Sequence, residues 1–116
     1  MSTQDFEDAI APFFWCEDET SASVCLSVGE YKNEIFISRK DEGFEGNGYD
    51  WASLANVFLE ENAKNLVGVI EFDPEGSMYC VFSSDKEALK RFSLLFKQAC
   101  EDKPLIMDLF SRAELD

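Results

Sequence analysis

The chain has 116 residues, with 24 Asp or Glu against 10 Lys or Arg, no His, and a formal net charge of −14. That balance disfavours nucleic acid and anionic membranes as partners, because both need clustered cations. The missing His rules out Ser-His-Asp and Cys-His catalysis, while 46% hydrophobic residues, 11 of them Phe, separate the chain from disordered acidic tails.

The first ten residues, MSTQDFEDAI, show no basic n-region and no apolar h-region, so no secretory signal is expected and the cytosol is the expected location. Phe13-Phe14-Trp15-Cys16 reads as a strand running into the acidic turn Glu17-Asp18-Glu19. Residues 23–28 alternate, with Val24, Leu26 and Val28 on one face, the period of a half-buried strand. Residues 33–38 (NEIFIS) form a third strand candidate, rich in β-branched and aromatic side chains. Residues 39–50 hold three of the six glycines and read as a loop.

A helix is predicted over residues 51–63, with Asp50 as N-cap and Trp51, Leu54, Ala55 and Phe58 on one face. Residues 66–72 and 78–82 read as a hairpin around Asp73-Pro74-Glu75-Gly76. Ser84-Asp85-Lys86-Glu87 has the form of a capping box, followed by Leu89, Phe92, Leu95, Phe96 and Ala99 at helical spacing. Pro104 suits the first turn of a last short helix carrying Leu105, Ile106, Leu109 and Phe110. The expected fold is α+β: one domain spanning residues 1–116, a mostly antiparallel sheet in the order βββ-α-ββ-αα, and helices on one face. Its core is expected from Leu54, Phe58, Ile70, Phe72, Leu89, Phe92, Leu95 and Phe96.

No catalytic apparatus is visible. There is no phosphate-binding glycine loop, and the four cysteines at 16, 25, 80 and 100 form no CxxC pair. Cys25, Cys80 and Cys100 fall inside apolar patterns and read as reduced core or near-core residues. The loop from Asp41 fails as an EF-hand, because Gly43 and Ala52 stand where oxygen ligands are required. No metal, cofactor or enzymatic activity is expected.

What remains is a binding surface. Residues 1–61 carry 14 acids and 3 bases, a net −11, while residues 62–116 carry 10 acids and 7 bases, a net −3. A basic protein partner would be drawn to the first half, although charge of this sign also serves solubility alone. Glu17, Asp18, Glu19, Asp41, Glu42 and Glu45 are the candidate contacts. Phe44 and Tyr49, set among acids on the glycine-rich loop, fit equally an anchor for a partner or packing on the core. Trp51 fits the core better, since it begins the helical stripe.

Several short pieces carry a resemblance. Gly48-Tyr49-Asp50-Trp51, Leu54 and Phe58-Leu59-Glu60-Glu61 are followed by Glu71-Phe72-Asp73-Pro74-Glu75, residues 78–82 and Ser84-Asp85-Lys86-Glu87-Ala88-Leu89. Ala99-Cys100-Glu101-Asp102 and Leu109-Phe110 complete the set. Over residues 43–112 the chain resembles the immunity protein 51 family of bacterial polymorphic toxin systems. The resemblance implies a cytosolic α+β antidote, without catalytic residues, that binds and neutralises a cognate toxin. Many such toxins act on nucleic acids through basic grooves that an acidic antidote could cover, so a basic toxin, a nuclease among them, is the implied partner. The same composition also fits a small acidic adaptor or regulatory subunit of an unrelated cytosolic complex.

Overall fold

The computed structural model describes residues 3–115. Five helices and four strands follow in chain order: α1 (Thr3–Ile10), β1 (Phe14–Glu17), β2 (Ala22–Ser27), α2 (Asn33–Ile37), α3 (Gly48–Asn62), β3 (Glu71–Phe72), β4 (Met78–Ser83), α4 (Lys86–Glu101) and α5 (Lys103–Phe110). The strands form one antiparallel sheet in the order β1-β2-β4-β3. The α+β class and the helix-covered sheet face agree with the expectation from sequence.

One sheet face is buried. Val24 and Leu26 of β2 and Tyr79 and Val81 of β4 face the helices. Against them lie Leu54 and Phe58 of α3 and Leu89, Phe92 and Phe96 of α4. Trp51 is the aromatic hub, with ring centroids of Phe36, Phe13, Tyr31, Tyr79 and Phe96 at 5.1, 5.9, 6.1, 6.2 and 6.2 Å. Such contacts add to the burial of apolar area, which drives the fold.

Local signals set the helix ends. Asn47 caps α3, its side chain accepting from the Asp50 amide at 2.9 Å. Asp85 caps α4 and Asp102 caps α5, whose first turn holds Pro104. The capping residues are therefore Asn47 and Asp85 where the sequence suggests Asp50 and Ser84. Asp50 instead folds back: its buried carboxylate accepts from the Glu45 and Gly46 amides at 2.7 and 2.8 Å.

Three expectations are corrected. Residues 33–38 are not a strand; α2 occupies Asn33–Ile37, entered through Lys32 at φ 51°. A strand would alternate, but consecutive Ile35 and Phe36 are buried while Ile37 is exposed. Phe36 packs on both Trp51 and Phe110, and that tertiary contact overrides β propensity. The strand expected over residues 66–72 contracts to Glu71–Phe72, because Leu66 ends a 3-10 turn and Gly68 kinks the chain at φ +84°. Leu95 faces solvent at 39% exposure rather than the core.

Candidate functional site

Side chains alternate across a strand, so the register defines what the second sheet face carries. Phe14, Cys25 and Cys80 lie in one cross-strand row, with Asp73 bonded to Cys80 at its end. Cys16, Ser23, Phe82 and Glu71 form the next row. Ser27 and Met78 form a third. Phe14 and Cys16 are exposed, and Met78, Cys80 and Phe82 are half-buried. A shallow concavity of about 440 Å³ opens on this face, lined among others by Cys16, Asp18, Ser23, Cys25, Asp73 and Phe82.

Acids rim this apolar and sulfur-rich centre. Asp18 and Glu19 stand at the tip of the β1–β2 hairpin, and Glu71 and Asp73 stand at the β3 edge. The Asp18 carboxylate is committed to its own turn, accepting from the Thr20 amide at 2.8 Å, the Ser21 amide at 2.9 Å and the Thr20 hydroxyl at 3.0 Å. These hydrogen bonds, the Thr20 amide foremost, hold its carboxyl below the ordinary range. Glu17 meets Lys86 at 3.0 Å, and that hydrogen bond is the main cause of its lowered pKa. Lys86 also donates to the Asp18 carbonyl at 2.5 Å, tying the hairpin to the start of α4. Among the described residues Glu19, Glu71 and Asp73 have no ion-pair partner.

The second group of sequence candidates hangs on a different fixture. Arg39 donates to the Glu42 carboxylate at 2.9 and 2.8 Å and to the carbonyls of Phe110 and Ala113 at 2.5 and 2.8 Å. The Arg39 hydrogen bond lowers the Glu42 pKa. Asp41, Glu45 and Tyr49 are exposed. Phe44 is not available as an anchor: it is 2% exposed, its ring lies 4.9 Å from that of Phe110, and the Arg39 guanidinium sits 4.5 Å over its face. Of its two sequence readings, core packing is the one the geometry realises. No described contact joins this loop to the Asp18–Glu19 tip.

Among the described residues no group of three or more Cys, Asp or Glu is placed to hold a metal ion. The arrangement suits recognition of another surface, with an apolar floor and a charged rim. Phe14, Cys16, Glu71, Asp73 and Phe82 were not singled out as site residues from the sequence. The available signal was the complement of the strand alternation: residues 23, 25 and 27 are small or polar exactly out of phase with buried 24 and 26.

Comparison with known proteins gives one finding. A family model described as Immunity protein 51 matches residues 13–115. No curated protein and no solved structure matches the chain.

Proposed function

The chain belongs to the immunity protein 51 family, and from that premise we propose that it binds and neutralises a basic protein toxin through the open face of its sheet. The family match over residues 13–115 is the observation that carries this reading. What supports the choice of surface is its make-up. Phe14, Cys16 and Phe82 supply apolar area that can be desolvated, and Asp18, Glu19, Glu71 and Asp73 supply a rim of one charge sign. The rim accelerates encounter and selects the partner, while the centre provides the slow dissociation that exposed ion pairs, worth ~0–1 kcal/mol each, cannot.

Inhibition works by binding in the cytosol, without turnover. Asp41, Glu42 and Glu45 add to the negative field from a separate surface, where Tyr49 offers exposed aromatic area. A toxin that acts on nucleic acid would present a matching cationic groove. The test is co-expression with the protein encoded beside it. Growth rescue and a co-purifying complex are expected, and both are lost when Phe14 and Phe82 are replaced by Ser in a chain that still folds. A complex that survives this double change moves the docking surface elsewhere, and failure of the unaltered chain to rescue overturns the reading itself.

A further inference from the structure

Cys25 of β2 and Cys80 of β4 are direct cross-strand partners. In an antiparallel ladder, opposite residues alternate between pairs that exchange hydrogen bonds and pairs that do not. Three bonds fix the phase here. The Val28 amide donates to the Ser77 carbonyl at 3.2 Å, which makes 28 and 77 a bonded pair. Counting inward from it in the register places Cys25 and Cys80 at a non-bonded pair. The outer neighbours agree: the Asp73 amide donates to the Cys80 carbonyl at 2.9 Å, so that the Cys80 backbone is turned to β3. The Asp18 amide donates to the Ser21 carbonyl at 2.9 Å, and the same count along the β1–β2 register turns Cys25 to β1.

At non-bonded pairs the Cα atoms stand about 4.5 Å apart and the side chains project side by side. That separation lies inside the window of about 4.4–6.8 Å that disulfides span. The two thiols are in contact at 2.6 Å, and both line the open concavity. The remaining cysteines are set apart in different ways. Cys16 lies one row over, opposite Ser23, and Cys100 is buried in α4.

We infer that Cys25 and Cys80 are a thiol-exchange site, at which a small-molecule disulfide such as glutathione disulfide is reduced to two thiols while a Cys25–Cys80 cross-strand disulfide forms. Cys80 is the more exposed of the two and supplies the attacking thiolate. It forms a mixed disulfide and releases the first small thiolate. Cys25, which burial and the hydrogen bond with Cys80 push up to about 12, keeps its proton through this step. In the second step Cys25 gives its proton to a leaving thiolate and its sulfur bonds to the Cys80 sulfur, expelling the second small thiol. One disulfide is consumed and one is formed. The inference stands on the register and not on the docking surface.

The experiment incubates the full chain, folded, in glutathione buffers of increasing oxidised fraction. The chain is then unfolded in denaturant so that buried Cys100 also reacts, free thiols are alkylated, and intact mass and a non-reduced peptide map are recorded. Two of the four thiols are expected to escape alkylation, so that the chain lacks two labels and two hydrogens relative to the fully alkylated reduced chain, with one cross-linked peptide joining Cys25 to Cys80. Cys25→Ser and Cys80→Ser should each abolish the cross-link in chains of unchanged circular dichroism, and Cys100→Ser should leave it. A cross-link through Cys16, glutathione held on Cys80 without closure, or four alkylatable thiols in every buffer would each overturn the site.

Discussion

Gly48 lies so close to Glu75 that a Cβ built on it would stand 1.9 Å from the Glu75 carbonyl oxygen. The first turn of α3 rests on the β3–β4 turn through this contact, and the Gly48 amide donates to the Gly76 carbonyl at 3.1 Å. Neither side can yield by a rotamer change, because the obstacle is backbone. Gly48→Ala is expected to destabilise by about 3 kcal/mol, the upper end for overpacking. Urea unfolding checks it, and a loss under about 0.5 kcal/mol, typical of unconstrained surface sites, would contradict the close approach.

Phe44 and Tyr49 flank the same glycines and should behave oppositely. Phe44 is 2% exposed, so Phe44→Ala should cost ~3–5 kcal/mol through lost burial and a cavity. Tyr49 is 41% exposed, and Tyr49→Ala should stay within about 0.5 kcal/mol. Equal losses would mean that the loop is seated differently on Phe110.

Tyr79 offers the reverse case. Its hydroxyl is buried and has no hydrogen-bond partner among the described residues. Removing an unsatisfied buried polar atom recovers its desolvation cost, so Tyr79→Phe should stabilise by about 1 kcal/mol. A lower midpoint in urea would show that the hydroxyl is satisfied in solution.

Arg112 donates to Glu61 at 2.7 and 2.8 Å and to Asp108 at 2.8 Å. The Arg112 hydrogen bond is the leading cause that holds both carboxyls below their ordinary values. A carboxylate depressed by folding adds stability that is complete above its unfolded pKa, near 4, and is lost as pH falls through its folded value. Arg112→Gln should therefore lower Tm at pH 7, and the gap to the parent should close on acidification below about pH 4. The comparison cancels the relief of general charge repulsion that acid also brings. A gap that is constant with pH would remove the ion pair as its cause.

For the docking surface, two charge reversals separate the two acidic regions. Glu71→Lys with Asp73→Lys should slow toxin association about tenfold at low salt and leave Tm nearly unchanged. Asp41→Lys with Glu45→Lys should slow it less. Stopped-flow association at two salt concentrations reads both, and the opposite ranking would place the interface on the loop.

Legibility in the sequence followed the range of the forces involved. The β3–β4 hairpin and α4 were readable because turn chemistry and helical spacing are local. The α2 segment was not, since Phe36 is helical on account of Trp51 and Phe110. Phe44 was undecided for the same reason: Arg39, which covers it, is fixed by carbonyls 71 and 74 residues away. The open sheet face was legible only as the half of each alternation that does not point inward, and its rows assemble only when β2 meets β4.

That meeting has a cost in time. The central ladder joins positions 55 residues apart, such as Cys25 and Cys80. During synthesis, at about 5–20 residues per second, β2 waits roughly 3–11 s for the strand that completes it. Through that interval the nascent chain shows an unpaired strand edge and the apolar side chains of β2. Translation, rather than the finished fold, is therefore the stage at which this chain is most open to aggregation, because an unpaired apolar strand edge is a template for pairing with another chain.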